Sequence, residues 1–432
     1  MKEIYYYLLP IAFILFVMYT YWQGKQRRYE AAKQVLDEAI QAGLTEPSCL
    51  HPVIDPIVCC GSGACVRVCP ENAIGIINHK AVLINPAHCI GHGACAPACP
   101  VGAIKLVFGT ERRGVEIPHV KPSFETNVPG IYIAGELGGM GLVRKAAEQG
   151  RQAIESIAKN RGSGKQLDVV IVGAGPAGLA ATLGAMEKKL RSVTFEQEDS
   201  LGGTVYHYPR NKIVMTQPVV LPLVGKAKLG EITKEDLLAF WHRIVERVGM
   251  KINFNERVER VTATSGGYLV KSNKAEYLTR NVLLAIGRRG TPRKLGVPGE
   301  ESPKVVYRLV DPEQYQGRKI LVVGGGDSAI EAAVATSEQP GTTVTLSYRG
   351  DAFGRIKQKN RDRLAAAERD GKLTVLLSSN VAKIEKDHVH LDKDGEAICF
   401  ENHGVIVCAG GILPMGMLKD MGIQVETKYG TD

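Results

Sequence analysis

The chain has 432 residues, of which 44% are hydrophobic and 23% charged, with a formal net charge of +9. Such a length allows two or three domains, and this ordinary balance excludes a disordered, collagen-like or low-complexity chain. The basic excess is moderate and no stripe of interleaved aromatic and basic residues accompanies it, so nucleic-acid binding is not expected.

Tyr5–Trp22 is uncharged and apolar over about 18 residues, just enough to span a bilayer core. Tyr5, Tyr6 and Tyr7 at one end and Tyr19, Tyr21 and Trp22 at the other have the character of interfacial belts. Lys25, Arg27, Arg28 and Lys33 follow the stretch, against Lys2 before it, which places everything after it in the cytoplasm. A cleaved signal peptide fits less well, because the positive charge lies on the wrong side and no A-x-A site follows. The expectation is a single-pass anchor over 1–23 in the cytoplasmic membrane. Gly24–Leu44 has helical spacing and reads as a plain linker helix, within a stalk over 24–48.

Ten cysteines on the cytoplasmic side point to metal or redox chemistry rather than structural disulfides, and eight lie between Cys49 and Cys99. CCGSGACVRVCP (Cys59–Pro70) and CIGHGACAPACP (Cys89–Pro100) form an internal repeat, each followed by an alanine–isoleucine step. Over 49–110 this resembles a bacterial-type two-cluster ferredoxin, whose pattern is C-x2-C-x2-C-x3-C-P with the fourth cysteine ligating the other cluster. The resemblance implies a small α+β domain in which one cluster takes Cys59, Cys65 and Cys99, and the other Cys89, Cys95 and Cys69. Where the pattern has its second cysteine, this chain has Ser62 and His92. Three outcomes stay open: Ser62 and His92 complete two [4Fe–4S] clusters, one or both sites hold [3Fe–4S], or Cys60 or Cys49 substitutes.

Residues 117–158 read IPHVKPSFETNVPGIYIAGELGGMGLVRKAAEQGRQAIESIA. This is similar to the last FAD-contacting segment of thioredoxin-reductase-like flavoproteins, which comes near the C-terminus in that family. Here Gly135 and Glu136 precede the first dinucleotide fingerprint, while the C-terminal run GVIVCAGGILPMGMLKDMGIQVETKYGTD stops where the family would continue into such a segment. The resemblance therefore implies a circularly permuted reductase, with 111–160 moved to the front and joined through a flexible linker, NRGSGKQ. The helix after Glu136, with Gly138, Gly139 and Gly141 giving close backbone approach, would point its N-terminal dipole at the flavin. The family usually has Asp at the Glu136 position, to bond the ribityl chain.

Asp168–Ala181 reads DVVIVGAGPAGLAA, a β-branched run, then Gly173, Gly175 and Gly178, then Pro176, Ala177 and other helix formers. A strand turning sharply into a helix N-terminus makes a dinucleotide site, with a ribose-binding acid at the end of the next strand. SVTFE supplies that acid at Glu196. In LGGTVYHYP, Gly202, Gly203 and Thr204 resemble the family's loop beside the flavin; the dithiol that glutathione-reductase-like relatives carry next is missing. Thr233–Val248 reads as a surface helix capped by Thr233. Val258 is counted among the FAD contacts, and Ala285–Gly287 resembles the return crossing between nucleotide domains, with Gly287 at the cofactor.

Lys319–Ala333 (KILVVGGGDSAIEAA) is a second fingerprint, with Gly324, Gly326, Asp327, Ser328 and Ala329, and resembles the family's NAD(P) motif. The following strand, TVTLSYRG, ends on Ser347 and Arg349 rather than an acid, with Arg355 and Lys357 nearby. An arginine there suits a 2′-phosphate, favouring NADPH over NADH. Thioredoxin reductases carry a redox C-x2-C near this motif; none is present, and Cys399 and Cys408 read as core.

The expected architecture is α/β: two Rossmann-like domains, for FAD (161–300 with 411–432) and NAD(P) (301–410), plus the ferredoxin-like domain and one transmembrane helix. The expected function is a membrane-anchored NAD(P)H-dependent flavoprotein oxidoreductase exchanging electrons, through two iron–sulfur clusters, with a redox protein or quinone-linked membrane complex. No catalytic side chain is required of it. The alternatives are a thiol/disulfide reductase and a non-enzymatic redox-sensing scaffold. Resemblance to thioredoxin reductases implies a homodimer.

Overall fold

The computed structural model describes residues 2–41, 47, 50–89, 91–111, 114–139, 141–162, 165–210, 212–216, 218–288, 290–354, 356 and 358–430. Cys49, Arg355 and Lys357 lie outside them. The chain forms two compact units, Met1–Arg113 with Tyr429–Asp432, and Gly114–Lys428.

The first unit starts with one continuous helix, Lys2–Gln41. Pro10 and Gly24 both lie within it, and Gly24 costs only about 1 kcal/mol relative to alanine. Phe13–Met18 are exposed around the helix. The expected anchor over 1–23 is not supported: among the described residues no helix is long and apolar enough to cross a membrane. Nor is the second half of the helix a bare linker. Ala32 and Ala39 are buried, and Ala32 lies so near the strand Ile74–Ile77 that a Cβ on Gly75 would come within 2.9 Å of it.

That strand pairs antiparallel with Lys80–Leu83, and His51–Ile54 pairs antiparallel with Ile104–Val107. The two ribbons and the short helices Ala64–Arg67 and Cys95–Ala98 enclose a small core containing Cys59, Cys65, Cys95, Ile74, Ala81 and Ala103. A core this small stabilises weakly by itself.

In the second unit, the strand Leu167–Val172 runs parallel between Ser192–Phe195 and Glu276–Leu284. Ile131–Ile133 adds to the far side of Glu276–Leu284, also parallel. These buried β-branched runs are what a sheet covered on both faces requires. The helix Pro176–Glu187 follows the fingerprint strand, and Val143–Ile157 packs closely on it. Gly150 permits that approach, because a Cβ there would lie 2.0 Å from the Ala177 carbonyl oxygen. Residues 131–157, which precede the fingerprint, are thus part of its sheet and its helical layer.

Asp168 staples the entry to this sheet. Its carboxylate accepts from the Gly162 and Arg191 amides, both at 2.8 Å, and from the Arg191 guanidinium at 2.9 Å. Burial opposes ionisation, but these bonds and the arginine charge outweigh it and hold the carboxyl below its ordinary range. The joining segment is therefore pinned at Gly162 rather than flexible there.

The second sheet is parallel, in the order Val305–Val306, Gly404–Val407, Lys319–Val323, Thr343–Ser347, Leu373–Leu376. A three-stranded antiparallel sheet, Ser379–Ile384, His388–Lys393 and Glu396–Glu401, follows. Cys399, expected in the core, is exposed on its last strand, with Sγ 3.9 Å from His390 Nε2; Cys408 is half-buried. The helix Lys234–Val248 carries the expected cap, Thr233 Oγ1 accepting from the Asp236 amide at 3.1 Å. Finally, Val425–Lys428 pairs antiparallel with Val115–Pro118, so the last strand of the unit lies beside its first.

Candidate cofactor sites

The first fingerprint assigns its glycines different tasks. Gly173 turns at φ +106°, and its missing Cβ would meet the Ala285 carbonyl oxygen at 2.6 Å. A Cβ on Gly178 would lie 1.8 Å from the Gly173 carbonyl oxygen, so this glycine seats the helix on the turn. Gly175 has extended backbone open to any residue, and a Cβ there meets nothing nearer than Gly203 Cα at 3.8 Å. It faces a cavity of about 990 Å³, at the upper end for a cofactor-sized cleft.

Gly135, Glu136, Gly173, Gly175, Pro176, Ala177, Glu196, Gly203, Thr204, Val258 and Gly287 all line this cavity. Gly178 and Gly202 stand behind it, Gly202 donating from its amide to the Ala174 carbonyl at 2.9 Å. Glu196 is buried at the end of its strand and accepts from the Ala174 amide at 2.8 Å and the Glu198 amide at 3.1 Å. Burial pushes its carboxyl up, and these amides pull the other way. The acid is thereby held at the cavity wall, at the end of the strand that follows the fingerprint.

Glu136 reaches into the same cavity. Burial raises its carboxyl above the ordinary range, opposed by the Arg288 charge and the Arg288 amide. A Cβ on Gly141 would lie 3.6 Å from its Oε1. The geometry after Glu136 differs from expectation: a short 3-10 turn, Glu136–Gly138, comes first, and the helix begins only at Val143. Gly139 at φ +102° breaks the helical path, and a Cβ on Gly138 meets nothing closer than 3.8 Å, so Gly138 is not a close-approach position.

Sequence reasoning missed several lining residues. Tyr208 and His207 come from the loop after Thr204, and Tyr307, Arg308 and Gln314 from the segment entering the second sheet. His207 Nε2 lies 3.5 Å from Glu198 Oε1, and its other ring nitrogen meets Arg308. Only fold-level contact brings these groups together. Arg288, next to Gly287, has a local signal in the IGRRG run.

At the second fingerprint, Gly324 turns at φ +145°, where a Cβ would meet the Cys408 carbonyl oxygen at 2.4 Å and Ala329 Cβ at 3.1 Å. Gly326 is open, with nothing within 4 Å, and Ser328 beside it is exposed. Asp327 Oδ1 accepts from Asn360 Nδ2 at 2.7 Å. Ser347 does not face this loop: it is fully buried and its hydroxyl pairs with that of Ser379 at 2.7 Å. Arg349 is exposed just beyond it. Tyr348 packs against Gly325, and its ring stacks on Phe353 at 5.4 Å.

In the first unit, Cys59, Ser62, Cys65 and Cys99 line one small cavity, and Cys69, Cys89, His92 and Cys95 another. Each therefore draws cysteines from both halves of the repeat. Among the described residues, no three His, Cys, Asp or Glu side chains converge on a point fit for one metal ion. Soft thiols ringing a cavity instead suit a multi-iron cluster.

Residues 170–431 match the family described as pyridine nucleotide-disulphide oxidoreductase, and residues 51–100 the 4Fe-4S dicluster domain. A ferredoxin–NADP reductase from Ignicoccus hospitalis is 31% identical over 270 residues, covering 60% of this chain and 83% of the relative. Bacilliredoxin reductase Bdr from Bacillus subtilis is 26% identical over 271 residues, covering 61% and 83%. Among solved structures, the bacillithiol disulfide reductase Bdr from Staphylococcus aureus superposes with a TM-score of 0.55 at 24% identity, covering 62% of this chain and 86% of that one.

Proposed function

Because this chain belongs to the pyridine nucleotide-disulphide oxidoreductase family, we propose that it exchanges electrons between NADPH and a redox protein, using FAD and two iron–sulfur clusters. Bound FAD would supply the conversion between a two-electron hydride and the single electrons that clusters carry. The observation that carries this reading is the cavity uniting the first fingerprint, Glu196, the 134–143 segment and the entry to the second sheet. The chain's own part is positional. Gly175 leaves room for a pyrophosphate at a helix N-terminus, Glu196 holds a ribose, and Glu136 with Arg288 places a carboxyl and a cation at the cavity wall. Gly324 and Gly326 offer the same cradle to the nicotinamide dinucleotide, and Arg349 favours its 2′-phosphate form.

We further propose that the reductase is circularly permuted. The family match begins at residue 170, yet Ile131–Ile133 and Val143–Ile157 complete the same sheet and helical layer from in front of it. The pairing of Val425–Lys428 with Val115–Pro118 supports this, because it lays both ends of the cut in one antiparallel ribbon. The name of the I. hospitalis relative joins ferredoxin to NADP; in this chain the 4Fe–4S and reductase matches share one polypeptide. A dithiol reductase is disfavoured, since neither fingerprint has a C-x2-C beside it.

The test is composition and turnover of the anaerobically purified full chain. About one releasable FAD and about eight irons per chain are expected, with NADPH oxidation that depends on an added one-electron acceptor. A flavin-free or iron-free chain, or turnover with thiol substrates alone, would overturn the proposal.

A further inference from the structure

The two cysteine loops share one backbone course. Gly61 and Gly63 sit at φ +69° and +69°, and Gly91 and Gly93 at +79° and +71°. Position 60 therefore corresponds to 90, and position 62 to 92. In the first loop these are Cys60 and Ser62; in the second they are Ile90 and His92. Each loop thus carries one additional donor that iron–sulfur chemistry accepts readily, a thiol in the first and an imidazole in the second.

Cys60 lines the same cavity as Cys59, Cys65 and Cys99. It is exposed, and among the described residues no hydrogen bond engages its thiol. Its backbone position is fixed from the neighbouring ribbon. A Cβ on Gly61 would lie 2.1 Å from the His79 carbonyl oxygen, and Lys80 Nζ donates to the Cys59 carbonyl at 2.7 Å. Ser62 is employed otherwise: its exposed hydroxyl accepts from the Ala64 amide at 3.4 Å, at the start of the helix Ala64–Arg67. A thiol also loses its proton to iron far more readily than a serine hydroxyl does.

We propose that Cys60, not Ser62, is the fourth ligand of the cluster held by Cys59, Cys65 and Cys99, while His92 completes the cluster of Cys69, Cys89 and Cys95. The assignment rests on the iron–sulfur reading above. The Cys60 thiol gives its proton to solvent as the Fe–S bond forms, and no electron moves. One cluster then has four thiolates and the other three thiolates and an imidazole. Since histidine in place of cysteine raises a cluster's potential, the His92 cluster fills with electrons first.

The test compares Cys60→Ala and Ser62→Ala in the full chain, purified anaerobically, with equal FAD content and circular dichroism as folding controls. Cys60→Ala is expected to lose about one iron per chain and to show a three-iron EPR signal when oxidised, whereas Ser62→Ala keeps the wild-type iron count and spectrum. As a second readout, iodoacetamide should label Cys60 in the iron-free chain and not in the loaded one. Iron loss on Ser62→Ala, unchanged iron in Cys60→Ala, or labelling of Cys60 in the loaded chain would each overturn the assignment. A wild-type chain that holds no iron would instead defeat the iron–sulfur reading on which it rests.

Discussion

Gly175→Val will weaken FAD binding at least about 100-fold in a chain that still folds, whereas Gly178→Val will unfold the second unit. The two glycines stand three residues apart in one motif, which already gives the first an approach to a pyrophosphate and the second a place in helix–strand packing. The structure separates them by what a side chain would meet. At Gly178 it would meet the Gly173 carbonyl oxygen at 1.8 Å, backbone that cannot yield because Gly173 is itself committed to φ +106°. Overpacking against fixed backbone belongs to the severe end of single substitutions, above about 4 kcal/mol. At Gly175 the backbone is extended and the nearest atom is 3.8 Å away, so valine is accommodated by the fold and fills the cavity instead. FAD affinity should fall at least about 100-fold, about 2.7 kcal/mol. Flavin fluorescence titration and thermal melting followed by circular dichroism separate the two effects. A Gly175→Val chain that keeps tight flavin, or a Gly178→Val chain that melts like wild type, would contradict the assignment.

Arg349→Ala will raise the KM for NADPH by about 10- to 100-fold and leave that for NADH nearly unchanged. The range follows from about 1.5–3 kcal/mol for a hydrogen bond to a charged group. The strand Thr343–Ser347 ends where an acid would otherwise hold a ribose. Ser347 is turned into the core toward Ser379, so it offers nothing to the cofactor. Arg349 is the exposed cation that follows. Initial-rate kinetics with both nucleotides check this; equal losses for NADPH and NADH would show that Arg349 does not read the 2′-phosphate.

How much of this was legible beforehand depends on the range of the interactions involved. The fingerprints were, because a tight turn, its small residues and the acid at the next strand end lie within a short span of chain. Thr233 as a helix cap was legible for the same reason. The close approach of Gly150 to Ala177 was not, since nothing near Gly150 announces which helix it will touch. Nor was the meeting of Tyr208, Arg308 and Glu136 around one cavity, which needs three distant segments folded together. The N-terminal helix differs in another way: the stretch after Gly24 reads as a plain linker, but one helix runs from Lys2 to Gln41 and burial of Ala32 and Ala39 ties its second half to the cysteine-bearing unit. Cys399 sits among apolar neighbours in sequence, yet it is exposed on a strand of a small antiparallel sheet.

The central claim is that one chain carries electrons between nicotinamide, flavin and iron–sulfur clusters. Its most direct test is anaerobic titration of the purified full chain with NADPH, following flavin absorbance together with low-temperature EPR. The account predicts flavin bleaching followed by reduced-cluster signals. Bleached flavin with clusters that stay silent until dithionite is added would contradict it.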